Sequence, residues 1–270
     1  MESAFHASND PQQRWQERAL RARKLARQHP AHQAALHFYE KVLGFQSEVA
    51  RASINKFRTD DPLRSQIDPA FVSSKIPAIL ALTAASGPEI LREDARSLMD
   101  AGAQRWQSIA QESLDSSAPS LSDAERFFSR ACVQPIAESL QRQLPKPADY
   151  GESICPACGG LPQMAVLRPE GEGSSRCLLC SFCLREWLFR RICCCWCGEV
   201  QKEKLPRYTA EECDYIYVEA CESCKRYFKA VDMSVNGLAV PLVDEAAWAV
   251  LDVWATSRGY EKIIQNLLGF

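Results

Sequence analysis

Cys155-Pro156-Ala157-Cys158, Cys180-Ser181-Phe182-Cys183, Cys194-Cys195-Trp196-Cys197 and Cys221-Glu222-Ser223-Cys224 are four Cys-x2-Cys words within 70 residues of one chain. Two cysteines three positions apart fit one tight knuckle turn and present both sulfurs to a single ion. Two knuckles then close a tetrahedral four-sulfur site around zinc or iron. Four knuckles make two such sites, and the expected ligands are Cys155, Cys158, Cys180, Cys183, Cys194, Cys197, Cys221 and Cys224.

The spacing suggests how the pairs group. Cys155 to Cys194 and Cys158 to Cys197 are 39 positions apart, and Cys180 to Cys221 and Cys183 to Cys224 are 41, as in a tandem duplication. Trp187 follows the second knuckle of the first copy as Tyr227 and Phe228 follow that of the second. Each copy is then one complete site, first knuckle with second and third with fourth. The competing cross-brace joins first with third and second with fourth. Cys177 and Cys180 form one more Cys-x2-Cys pair, and the 41-residue match to Cys221 and Cys224 favours Cys180 and Cys183 over it. Around Cys193, Cys194, Cys195 and Cys197, only Cys194 and Cys197 have the required separation.

Thirteen cysteines in 270 residues, with no apolar signal segment near Glu2 and Asp10 and no run of 18 apolar residues, point to reduced thiolates. A cytoplasmic chain without membrane insertion is the expectation. The net charge of −2 divides unevenly, with 19 basic and 18 acidic residues before position 151 and 13 basic and 16 acidic after it. Four thiolates on a divalent ion add a further net −2 per site. Nucleic-acid affinity rests on neutralising phosphates, so the cysteine-bearing half is a poor candidate for it.

Residues 1–144 read as an all-helical domain. Residues 12–57 form two helices broken near Pro30, the first with a basic face from Arg14 to Arg27, the second apolar through Leu36, Phe38, Tyr39, Val42, Leu43, Phe45 and Val49. Helices follow at about 69–85, 88–113 and 122–143, with Pro69 at a first helical position and Ser122 with Glu125 as a capping box. Pro77 and Pro135 are expected to kink or interrupt two of them. Gly87-Pro88 and 116–120 are loops, and 145–151 is a linker.

Residues 145–191 and 192–235 are the two four-cysteine modules. In the first, Met164 to Leu167, a turn over 169–173 and Arg176 to Leu179 outline a small hairpin; 203–209 and 215–218 repeat it. Gly159 and Gly198 follow the first knuckle of each copy, where backbone N–H groups must turn toward sulfur. Residues 236–270 carry a C-terminal helix from Asp244 to Arg258, capped by Asp244, ended by Gly259 and packed on the body. The fold class is therefore α plus small β metal modules.

These words resemble the FdhE family of formate dehydrogenase accessory proteins. The likeness lies in Ile154 to Gly159, Cys180 to Cys183 before Glu186-Trp187, Cys194 to Cys197 and Glu219 to Lys229. It extends to Arg21-Ala22-Arg23-Lys24-Leu25-Ala26 with His29-Pro30, to Val240-Pro241-Leu242-Val243-Asp244 and Leu251-Asp252, and to Arg258-Gly259-Tyr260. The resemblance implies two tandem rubredoxin-like or zinc-ribbon modules behind a helical domain, in a cytoplasmic assembly factor. Such a factor contacts the catalytic subunit of a molybdenum-containing respiratory formate dehydrogenase before export. Cys132, Cys177, Cys193, Cys195 and Cys213 are extra to that pattern.

Zinc in the sites is structural, contributing roughly 10 to 16 kcal/mol each, whereas iron gives a rubredoxin-like centre able to carry one electron. The alternatives to an assembly factor are thus an electron-transfer protein and a zinc-ribbon nucleic-acid module. Cys132, beside Phe127, Phe128 and Ile136, is expected to be a small buried hydrophobe, and His29, His32 and His37 bracket Pro30 and are expected in turn and surface roles. No phosphate loop or nucleophile motif appears, and no catalytic residue is expected.

Overall fold

The computed structural model describes residues 10–53, 61–115, 120–145 and 150–269. The end of the second expected helix (54–57), most of the loop at 116–120 and the linker core at 146–149 lie outside the described residues. The chain forms two compact units, Ser8–Pro145 with Leu267–Gly269, and Lys146–Asn266.

The first unit is all helical. α1 (Pro11–Gln28) starts where Asp10 accepts from the Gln12 N–H at 2.9 Å. α2 (Gln33–Ala52) packs along it, and α3 (Pro69–Ser86) starts from Asp68 in the same way. α4 (Glu89–Leu114) and α5 (Asp123–Gln141) complete the unit, the latter opening on the expected Ser122/Glu125 capping box. Fourteen of the 19 residues of α5 are buried, and it touches α2, α3 and α4, so it is the core helix. Of the described helices, α3 alone is long and apolar enough by composition to cross a membrane, a test that core helices also pass.

Two expected interruptions do not occur, and one break stands elsewhere. α3 and α5 run through Pro77 and Pro135 without interruption, because tertiary packing outweighs one lost backbone hydrogen bond. The break falls instead inside α4, at Gly102, whose φ of +73° is a conformation other residues avoid. The Trp106 indole N–H reaches back across it to the Leu98 carbonyl at 2.7 Å.

The second unit contains β1 (Pro162–Glu170), β2 (Gly173–Cys180), β3 (Glu186–Leu188), β4 (Arg207–Ala210), β5 (Cys213–Ala220) and β6 (Arg226–Asp232). β1-β2-β3 and β4-β5-β6 are antiparallel meanders, one per cysteine module, offset by the 40-residue repeat. They are not separate ribbons: β1 pairs in parallel with β6, Met164 opposite Lys229 through Leu167 opposite Asp232, giving one sheet ordered β3-β2-β1-β6-β5-β4. A short β7 (Glu261–Lys262) adds to β6.

The expected single C-terminal helix is two, α6 (Pro241–Ala247) and α7 (Ala249–Ser257), packed on β6 and β5. At the break sits Lys229 of β6, fully buried, whose ammonium donates to the carbonyls of Glu245 and Trp248 at 2.5 and 3.2 Å and pairs with Asp252. The Glu245 carbonyl, at the end of α6, thereby gains a donor in place of a helical N–H, while the Trp248 carbonyl also accepts from the Leu251 N–H at 3.1 Å as α7 begins. Asp244 sits one turn inside α6 and accepts from the Val240 N–H at 2.7 Å, so Val240 holds the cap position. Gly259 ends α7 at φ +82°, as expected.

Candidate metal centres

Each site is built from two knuckles of one pattern. In the first knuckle, the Gly159 N–H donates to the Cys155 carbonyl at 2.9 Å and the Cys155 N–H to the Gly160 carbonyl at 2.8 Å; Gly198, Cys194 and Glu199 repeat this at 3.0 and 2.8 Å. The second knuckles close likewise, Cys180 to Arg185 and Cys221 to Arg226, both at 2.9 Å. In every knuckle the residue after the second cysteine has positive φ: Gly159 (+70°), Leu184 (+57°), Gly198 (+78°) and Lys225 (+57°). That turn frees main-chain N–H groups for sulfur, and Ala157 and Phe182 donate to Cys155 and Cys180 Sγ at 3.4 and 3.3 Å.

The sulfurs assemble as Cys155, Cys158, Cys180, Cys183 and as Cys194, Cys197, Cys221, Cys224, each set within 4.8 Å. This is the grouping within copies, not the cross-brace. In site one, Cys155 to Cys183, Cys158 to Cys180 and Cys158 to Cys183 are each 3.5 Å; in site two, Cys194 to Cys224 is 3.8 Å and Cys197 to Cys221 3.6 Å. A tetrahedron of sulfurs about 2.3 Å from its centre has edges of about 3.8 Å, so both sets can hold a metal ion without rearrangement. Four thiol donors suit zinc and iron alike.

The electrostatics show what such an ion would relieve. Hydrogen bonds from Cys158, Cys180 and Cys183 pull the Cys155 thiol far below its ordinary range, while Cys180, first through burial, and Cys183, first through Cys155, are driven well above theirs. One thiolate in the cluster forbids the next. In site two, burial pushes Cys194 up to about 11. A divalent cation removes that conflict by balancing the charges together.

The two sites differ in enclosure and support. Site one is buried around Cys155, Cys180 and Cys183, whereas Cys197 of site two is exposed. A Cβ on Gly160 would lie 3.1 Å from Cys180 Sγ and 3.3 Å from Cys158 Sγ, so the backbone is pressed against the cluster. The matching position in site two is Glu199, whose carboxylate accepts from Val200 and Gln201 N–H at 3.0 and 2.9 Å and from Ser223 Oγ at 2.5 Å, tying one knuckle to the other. The cysteine spacing does not signal Gly160 or Glu199. Trp187, and Tyr227 one position before its equivalent Phe228, are both buried and donate to Glu152 O and Asp252 Oδ1 at 3.0 and 3.1 Å.

Cys177, Cys193, Cys195, Cys213 and Cys132 are buried outside both clusters. Burial raises the Cys132 and Cys195 thiols far above their ordinary range. Cys177 is held in the β2 ladder opposite Val166 and Leu188. His37 lies 3.6 Å from Glu40, and no histidine joins a metal-holding group among the described residues.

Residues 154–191, the whole of site one and its meander, match the family model described as "FdhE, central domain". The likeness is to the FdhE family. A "Protein FdhE homolog" of Aquifex aeolicus is 33% identical over 150 residues, covering 55% of this chain and 53% of that protein. One from Pseudomonas putida is 32% identical over 122 residues, covering 42% and 37%. The matches thus span about half or less of these relatives. The crystal structure of FdhE from Pseudomonas aeruginosa has the same fold, with a TM-score of 0.75 over 98% of both chains at 23% identity. The helical region, the sheet with two tetracysteine clusters and the C-terminal helices are therefore FdhE-like.

Proposed function

We propose that this FdhE-like chain is a maturation factor that binds the catalytic subunit of a molybdenum-containing respiratory formate dehydrogenase in the cytoplasm, before export. The observation that carries the reading is the FdhE central-domain match laid over a complete four-sulfur cluster. Both clusters supply four protein ligands, the closed arrangement of a structural ion rather than the open position a catalytic metal keeps. The chain then acts by grip, without turnover, and neither nucleic acid nor membrane is its partner. Affinity capture of the intact, metal-loaded chain from an anaerobically grown native host recovers the formate dehydrogenase catalytic subunit. Failure to recover it while the chain remains folded and loaded overturns the proposal.

The exposed Cys197, beside the half-exposed Trp196, favours a second reading for site two: a rubredoxin-like iron centre passing electrons at the surface. Anaerobic purification decides, since a colourless chain with two zinc ions rules it out.

A further inference from the structure

A cavity of about 590 Å³ opens in the second unit, within the range of small-molecule sites. Its charged lining is Arg176, Arg191, Lys202, Arg207 and Arg226 against the single carboxylate of Glu219. The segment from 151 to 270 is acidic overall, with 13 basic and 16 acidic residues, so five of those thirteen cations converging on one hollow is a local construction. It exists only because the two modules share a sheet: Arg176 comes from β2, Arg191 from the connection, and Arg207 and Arg226 from β4 and β6.

The cations divide by role. Arg176 is buried and spent, with Nε and Nη2 on Glu219 Oε2 and Nη1 on the Arg190 carbonyl. Three others make polar contacts through Nη2, Arg191 with Ser174 at 3.2 Å, Arg207 with Glu219 at 3.4 Å and Arg226 with the exposed Glu261 at 3.1 Å, and the last two also lie over the rings of Tyr217 and Trp196. The Lys202 carbonyl accepts from the Leu205 N–H at 3.1 Å, while its ammonium makes no hydrogen bond or ion pair among the described residues. Cys194 and Cys221 also border the hollow, so a loaded site two brings a net −2 to one wall. With Glu219 and Glu261 counted against them as well, the five cations still leave a net of about +1, so the lining stays attractive to the roughly −1.5 to −2 of a phosphate monoester at pH 7. Guanidinium forks suit phosphoryl oxygens, and Phe228, Leu205 and Ile263 offer an apolar surface beside them.

We propose that this pocket binds a small organic phosphate, its phosphoryl group held by Arg191, Lys202 and Arg207 and its organic part lying on Phe228. The site is independent of the maturation reading. Titration calorimetry on the full zinc-loaded chain with ADP, inorganic pyrophosphate, adenosine and citrate tests it. ADP and pyrophosphate bind saturably at one site per chain, adenosine does not, and citrate binds more weakly than pyrophosphate. K202E and, separately, R191Q each weaken ADP by about tenfold, with zinc content and melting temperature unchanged. Absence of saturable ADP and pyrophosphate binding at millimolar concentration overturns the proposal, as does affinity unchanged in both variants. Citrate binding as tightly as pyrophosphate overturns the phosphate assignment in favour of a carboxylate site.

Discussion

Arg176 on β2 and Glu219 on β5 are joined through Nε and Nη2 at 3.0 and 2.7 Å, a buried ion pair that ties the first cysteine module to the second. Both partners are desolvated, so losing one strands the other. E219Q and R176M are each expected to destabilise the second unit by about 3 to 5 kcal/mol, read from denaturant midpoints. Combining R176M with E219L restores part of that loss, because no buried charge is then left unpaired. A double variant as unstable as the sum of the singles contradicts the pairing.

Gly159 and Gly160 separate two ways of harming the same site. Gly159 has φ +70° with open space where a Cβ would go, so G159A costs about 1 to 2 kcal/mol of backbone strain and keeps its metal. Gly160 lacks the positive φ but has two sulfurs within 3.3 Å of that Cβ. G160A should therefore lower zinc affinity of site one, measured by competition with a chromogenic chelator, more than G159A does.

Glu138 makes the first unit acid-sensitive. Burial alone would raise its carboxyl, but Arg18, at 2.8 Å through both oxygens, with Arg142 and Arg14, holds it at about 2 instead of 4.5. A carboxylate depressed on folding stabilises the native state above its unfolded pKa, and that contribution fades as pH falls from about 4.5 to 2. The slope of helical stability against pH in that window is expected to flatten in E138Q, which also loses about 3 kcal/mol at neutral pH, followed by circular dichroism at 222 nm.

Metal removal should act on one unit only. The second unit's modules are knitted through eight sulfurs, each filled site contributing roughly 10 to 16 kcal/mol, whereas the first unit has its own helical core around α5. Chelation is expected to abolish sheet-unit hydrogen-exchange protection while leaving that of α2 and α5. C194S should carry one ion where the parent carries two, measured by atomic emission. Equal metal content in C194S and the parent contradicts the ligand set.

Much of this was legible because it is local. Ser122 and Glu125 cap α5 through contacts three residues apart, and Gly159 and Gly198 set turns within their own knuckles. Gly102 was not legible, since one glycine in a helical pattern signals a break no more than it signals tolerance. Pro77 and Pro135 do not interrupt their helices for the converse reason, as burial over a whole helix overrides one missing donor. Lys229 reads as an ordinary strand lysine, and only the Glu245 and Asp252 carboxylates with the carbonyls between α6 and α7 explain why it is buried.

By itself the sequence determined the four knuckles, the two cysteine sets implied by their 40-residue repeat, and the helical first half. Each follows from spacing that a few bonds enforce. Only the tertiary structure decided that β1 lies parallel to β6, that Arg176 reaches Glu219, and that five cations gather over one hollow. Strand edges carry the same N–H and C=O groups whatever their side chains, so which edges meet is settled when the whole unit buries its apolar faces.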